Sequence, residues 1–174
     1  MQAKEKNGAS SIAWFKLAQF VTTKEKEKAL GLYKLLSYSI DNKAYSLQVE
    51  ADLFLAFEDY EVAMTKYQQA ALLYKKEKNL VLAASVYEHL TTLQPENPHF
   101  LSTLIEVYAR LEWEEKVEER FNKLIENYKN NKINKDVLLN TIDQIRNVFA
   151  DENKESSLKK FVAFVNIKAP EFAT

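Results

Sequence analysis

Nine stretches of this chain carry apolar residues at intervals of three and four, the spacing of one face of an α-helix. The first runs about 11–21, with Trp14, Leu17, Ala18 and Val21 on one stripe, and the second about 24–40, with Ala29, Tyr33 and Leu36. Asp41 and Asn42 give a turn signal before a third stretch, about 44–57, that carries Leu47, Ala51, Phe54 and Leu55. The fourth, about 60–77, carries Ala63, Tyr67, Ala70, Ala71 and Tyr74, and the fifth covers about 80–93. The run Gln94-Pro95-Glu96-Asn97-Pro98 is the clearest break: Pro95 stops one helix, and Pro98 suits the first turn of the next with Asn97 as its cap. The sixth stretch, about 98–111, holds Leu101, Leu104, Ile105 and Tyr108, and the seventh, about 113–128, holds Val117, Phe121 and Leu124. After Lys129-Asn130-Asn131-Lys132 come an eighth, about 135–149, with Val137, Leu138, Ile142, Ile145 and Phe149, and a ninth, about 156–167, with Leu158, Phe161, Val162 and Val165. Pro170 ends the ninth.

The stripes repeat at a lag of 34. Ala29, Tyr33 and Leu36 recur at that lag as Ala63, Tyr67 and Ala70; Ala83, Tyr87 and Leu90 recur at the same lag as Val117, Phe121 and Leu124. It also carries Leu17 and Phe20 to Ala51 and Phe54, and Tyr67, Ala70, Ala71 and Tyr74 to Leu101, Leu104, Ile105 and Tyr108. A fixed lag of this size marks a copied helix–turn–helix unit, and the rival is an ordinary helical bundle with accidental lags. The two series join by a shorter step, from Ala63 to Ala83, so the fourth helix closes one unit and opens the next. The expected fold is all-α: an α-solenoid of antiparallel helix pairs, about nine helices long.

The stretch Leu47, Ala51, Phe54, Tyr60, Ala63, Tyr67, Ala70 resembles the tetratricopeptide repeat, or TPR. So does Tyr67, Ala70, Ala71, Tyr74, Ala83, Tyr87, Leu90, Pro95, and the unit from Leu101 to Leu124 is similar. Departures are visible: Glu58 and Glu112 stand near the turns where a glycine is expected between paired helices, and Trp113 lies about one residue off the expected aromatic. The unit Trp14–Leu36 is degenerate. The resemblance covers about 11–129 and implies a right-handed superhelix whose last helices cap an open apolar end. The organisation expected is a flexible N-terminus at 1–10, repeats over 11–131, capping helices over 132–169 and a tail at 170–174. The last two helices could instead dock a further domain.

The resemblance also implies that the first helix of each pair lines a concave groove for a peptide or helix of a partner protein. Off the core stripe, that places Tyr45, Gln48, Val49 and Asp52 of the third helix and Ser102, Thr103, Glu106 and Arg110 of the sixth in the groove. Gln68, Gln69 and Leu72 join them if the fourth helix plays the first-helix role. Some TPR arrays grip a chaperone's C-terminal carboxylate with Lys, Arg and Asn; the corresponding places here hold Gln48, Asp52, Ser102, Thr103 and Glu106, so that clamp is not expected. A mildly acidic groove suits a neutral or basic peptide. The alternative is that these residues cover an unused surface.

Composition narrows the class. Among 174 residues, 47% are hydrophobic, well above a disordered composition, and with only 2 Gly and 3 Pro there is little chemistry for hairpin turns. Lys+Arg (24) and Asp+Glu (25) nearly cancel, which does not favour a nucleic-acid or anionic-membrane surface. With no cysteine, disulfides, thiol nucleophiles and cysteine-ligated metals are excluded. Residues 1–10 lack the apolar core of a signal peptide, and no apolar run reaches the length of a membrane span, so a soluble cytoplasmic protein is expected, or a fragment of a larger one.

Candidate chemistry is thin. Glu96 and His99 have the spacing of a di-iron ligand pair, but Pro98 lies between them and no second such pair exists, so no metal is expected. His89 reads as a surface residue. There is no Gly-rich phosphate loop and no nucleophile elbow, so no cofactor is expected. The run Glu112, Glu114, Glu115, Glu118, Glu119 lacks the pattern of a calcium loop and reads as a solvated helix face. Tyr33, Tyr67, Tyr74, Tyr87 and Tyr108 sit at core spacing, each hydroxyl reaching an edge or a partner, whereas Tyr45 and Tyr60 could be exposed. The function expected is a protein–protein interaction module, not an enzyme. The rivals are a self-associating helical-repeat protein or part of a larger assembly, and an α-helical enzyme without a recognisable motif.

Overall fold

The structure is a computed structural model that describes the backbone of residues 2–172 and the side chains of residues 11–172. Among these residues it is all-helical, with no strand. Nine α-helices follow one another: α1 (Gln2–Thr22), α2 (Lys26–Ser37), α3 (Lys43–Ala56), α4 (Tyr60–Lys76), α5 (Leu80–Leu93), α6 (Pro98–Arg110), α7 (Glu114–Lys129), α8 (Lys135–Asp151) and α9 (Glu155–Lys168). Each apolar stretch is a helix. The helical backbone of α1 extends back to Gln2, through most of the segment 1–10 expected to be flexible; the side chains of that segment lie outside the described residues. Ala18 of the first stripe is exposed. Within the expected tail, Pro170–Phe172 forms a 3-10 turn whose Phe172 is buried edge-on to Tyr128, ring centres 5.3 Å apart. Residues 173–174 lie outside the described residues.

Two devices join the helices. Asn42, Asn97 and Asn134 cap α3, α6 and α8, each side chain accepting a backbone N–H of the first turn at 2.7–3.1 Å. The other device is a single left-handed residue. Lys24, Glu58, Lys78, Glu112, Asn131 and Asn153 have φ between 54° and 63°. After five of them, the N–H of Glu25, Asp59, Trp113, Lys132 or Lys154 reaches back to the carbonyl of Phe20, Phe54, Tyr108, Asn127 or Phe149 at 2.7–3.0 Å. This is the six-to-one bond of a Schellman turn, and it satisfies carbonyls that a helix end leaves orphaned. Four of these five, Glu25, Asp59, Trp113 and Lys154, start the next helix, with φ from −85° to −92° and ψ from 59° to 70°. The left-handed positions keep the lag of the core stripe: Lys24 leads to Glu58 as Ala29 leads to Ala63, and Lys78 leads to Glu112 as Ala83 leads to Val117. The glycine suggested by the family pattern is therefore replaced by glutamates that adopt the conformation glycine would favour.

The chain divides into two compact units, Met1–Glu77 and Lys78–Thr174. The boundary falls at the end of α4, where the shorter step from Ala63 to Ala83 breaks the phase of the repeat. In the first unit, α3 and α4 form the most extensive helix pair. Ala51, Ala63 and Ala70 are wholly buried there, and such small side chains let two helix backbones approach closely. Leu17, Ala29, Tyr33, Leu36 and Leu53 make the adjoining core, with Trp14 edge-on to Tyr33. The Lys24 ammonium donates to the Ala56 carbonyl at the end of α3 (2.8 Å), and Lys26 pairs with Asp59 (2.9 Å). The α1–α2 and α3–α4 joints thus lie side by side, with a cation placed on a helix C-terminus.

In the second unit α6 is the central helix, packed by α5, α7 and α8. Leu104, Ile105, Tyr108, Phe121, Leu124, Leu138, Ile142, Ile145 and Phe149 fill its core. α9 closes the unit through Phe161 and Phe164, both edge-on to Phe121. The Lys154 ammonium donates to the Arg110 carbonyl at the end of α6 (3.1 Å) and pairs with Glu112 (3.3 Å) and Glu152. Burial alone would lower the Lys154 pKa, but the two carboxylates outweigh it and hold the group above its ordinary value. The same kind of lysine stitch therefore joins neighbouring helix joints in both units.

Candidate partner-binding surfaces

The third helix carries a polar face on which hydroxyls from both neighbouring helices converge. Tyr67 of α4 donates its hydroxyl to Asp52 of α3, and Tyr74 of α4 donates to Gln48 at 3.3 Å. Tyr33 of α2 donates to the Ser46 carbonyl on α3, with the Ser46 hydroxyl 2.9 Å away. Three buried tyrosines from the flanking helices thus put their hydroxyls on one helix, because each ring fills the core while its oxygen needs a partner. Burial raises the Tyr67 pKa first, and the bond to Asp52 adds to it; Tyr33 and Tyr74 are also raised by burial. These phenols stay neutral hydrogen-bond donors. Beside them Tyr45 is 52% exposed.

The structure brings Tyr45, Gln48 and Asp52 together with the α4 tyrosines. Val49 packs against the core of the unit. Gln68 and Gln69 are exposed on α4, off the buried stripe Ala63–Tyr67–Ala70–Tyr74, and Leu72 is exposed with them. In the second unit, Ser102 and Thr103 are each only 9% exposed. α8 lies over α6 there, and the Thr141 hydroxyl sits 2.8 Å from that of Ser102. Glu106 pairs with Arg110 (3.0 Å), and Arg110 also reaches Glu152 (3.2 Å). Ser102 and Thr103 therefore present almost no surface, while Glu106 and Arg110 sit in a charge network that ties α6 to the end of α8.

Among the described residues no group of three or more His, Asp or Glu side chains is placed to hold a metal ion, and no helix is long and apolar enough to cross a membrane. His99 is exposed beside Phe100, and His89 is half-buried on α5. All five core tyrosines are buried; burial and Glu106 push Tyr87 up to about 12. One grouping escaped the sequence pattern. Glu88 of α5 accepts the Tyr108 hydroxyl of α6 and pairs with Lys116 of α7 at 3.1 Å, beside Trp113. Its members come from three helices, and only the close spacing of Tyr108 and Trp113, set by the turn between them, was a local signal.

No protein-family model matches this chain, and no curated protein matches its sequence.

Proposed function

We propose that the chain is a TPR-like α-solenoid, a protein–protein interaction module that binds a peptide or helix of a partner protein. The binding surface is the α3 face of the first unit, with Tyr45, Gln48 and Asp52 as its contacts. One observation carries this reading: the left-handed joint residues and the buried small–aromatic–apolar stripes share one lag, from Glu58 to Lys24 and from Ala63 to Ala29 alike. Repeats of that kind build extended binding surfaces. The face is suited to recognition, since an exposed tyrosine stands beside polar groups already fixed by buried tyrosine hydroxyls. The module acts without cofactor or covalent chemistry, in the cytoplasm, as an adaptor, chaperone or assembly scaffold. Its partner is a neutral or basic segment, because Asp52 is the one charged residue among the proposed contacts and it is acidic.

The test starts from a partner identified by affinity purification and mass spectrometry from the native source. Tyr45→Lys is expected to weaken that partner's binding at least about tenfold, as loss of an aromatic anchor does, with the circular dichroism of the chain unchanged. Binding unaffected by Tyr45→Lys and by Gln48→Lys would remove the α3 face from consideration.

A second reading, self-association, is favoured by Ile12 and Phe15. They lie on the side of α1 away from its core and are 69% and 76% exposed. Sedimentation over a concentration range separates the two readings: a strict monomer leaves the module, and a concentration-dependent dimer abolished by Phe15→Ser favours assembly.

A further inference from the structure

The α6–α7 joint is built unlike its counterparts. At α1–α2 and α3–α4 the residue after the left-handed one is an acid, Glu25 or Asp59, paired with Lys28 or Lys26. Each of those ammonium groups also lies over the ring of the aromatic that accepts the six-to-one bond, 5.7 Å from Phe20 or 5.8 Å from Phe54. At α6–α7 the acid is replaced by Trp113, whose ring lies 5.6 Å from Tyr108. The six-to-one bond from the Trp113 N–H to the Tyr108 carbonyl (3.0 Å) brings that pair together. The carboxylate comes instead from Glu88 on the neighbouring helix.

Lys116 puts its ammonium 4.9 Å from the Trp113 ring, 5.1 Å from the Tyr108 ring and 3.1 Å from the Glu88 carboxylate. Two aromatic faces and one carboxylate around an ammonium form a cation cage. Its walls are fixed beforehand: Tyr108 is wholly buried with its hydroxyl on Glu88, and Trp113 is anchored by the turn. Burial works to raise the Glu88 pKa, but the bonds from Tyr108 and Lys116 outweigh it and hold the group below the usual carboxylate value, so the cage keeps its charge at neutral pH. The occupant is the loosest part. The Lys116 side chain is 47% exposed on a flexible stem, at the edge of an open depression that Trp113, Glu112 and Glu115 also line.

We infer that this cage is a binding site for a lysine ammonium of a partner peptide, which enters by displacing Lys116. The site lies in the second unit and does not depend on the α3 face of the first. The 3.1 Å bond to Glu88 requires an N–H on the cation, so lysine and its mono- and dimethyl forms fit, and a trimethyl-lysine gives that bond up.

The experiment uses the full chain, its Lys116→Ala variant and a short glycine–serine peptide carrying one dimethyl-lysine. Calorimetry gives the affinity, and the two indole N–H signals in NMR give the place. Lys116→Ala is expected to bind the peptide at least about tenfold tighter than the unaltered chain, because the Lys116 ammonium no longer fills the cage, while Arg120, the other cation near Glu88 and Tyr108, is present in both. The Trp113 signal should shift while that of Trp14 stays, and an acetyl-lysine peptide should not bind. Adding Glu88→Gln, which keeps the shape and removes the charge, should weaken binding about tenfold. Lys116→Ser should reproduce Lys116→Ala, with circular dichroism showing the helices intact in each. A folded Lys116→Ala protein that ignores the peptide, or binds its acetylated form equally, overturns the site.

Discussion

The same repeat unit has opposite fates in the two halves of this chain. In the first, α3 keeps one side open, and Tyr45 stands half in solvent beside Gln48 and Asp52. In the second, the corresponding stretch of α6 is roofed by α8, and Ser102 is buried against Thr141. The repeat pattern records which residues face the partner helix of the pair. It does not record whether a further helix comes to lie on the remaining side. Whether the groove-facing positions of a repeat stay exposed therefore depends on what covers them, and of α3 and α6 only α3 leaves them open.

Packing should separate the halves most sharply. Phe121→Ala removes a wholly buried ring between α6, α7 and α9 and should cost about 3–5 kcal/mol, read as a lower denaturant midpoint. Ala70→Leu is the reverse insult, forcing a larger side chain into the close α3–α4 contact, and should cost about 1–3 kcal/mol. If Ala70→Leu were neutral, α3 and α4 would not be as closely apposed as their alanines indicate.

Titration should mark the second half next, through the carboxylate of Glu88 that Tyr108 and Lys116 hold. The Glu88 pKa is lowered in the folded chain, so its contribution is present above the unfolded value of 4.5 and is lost as pH falls through the folded value. Glu88→Gln should therefore flatten the acid side of the stability profile below about pH 4.5. Tyr67 and Tyr108, one in each half, are raised above 10, so their contributions are present below pH 10 and fall away above it. Tyr67→Phe and Tyr108→Phe should each reduce the alkaline loss. Equal acid profiles for the Glu88→Gln and unaltered chains would contradict the role given to that carboxylate.

The joints should show the smallest difference. Glu58→Gly relieves a left-handed side chain and should stabilise by about 1 kcal/mol or less. Glu112→Gly should gain less, because it gives up the pair with Lys154. Thermal denaturation of the two variants reads the order, and a larger gain at Glu112 would reverse the assignment of that ion pair.

The helices were legible in the sequence because each buries one stripe, and a stripe of period 3.6 is written locally. Asn97 and Pro98 were legible for the same reason, since a cap acts within one turn. The left-handed turns were not. Glu58, Lys24 and Lys78 carry no residue signal for that conformation; at Glu58 and Lys24 the six-to-one bond and the helix that follows impose it. The cover over Ser102 was invisible because Thr141 is 39 residues away and nothing local couples them. Of the residues expected to line a groove, Tyr45, Gln48 and Asp52 come together because they share one helix face. Val49 points into the core because the α3 stripe is wider than the repeat pattern alone suggests.

The contrast between an open α3 face and a closed α6 face can be measured directly, since the chain has no cysteine of its own. Tyr45→Cys and Ser102→Cys are made singly and exposed to a thiol reagent under native conditions. The thiol at position 45 should react as fast as that of a free peptide. The thiol at 102 should react slower by about a hundredfold or more, because it waits for the second unit to open locally. Equal rates at the two positions would contradict the account.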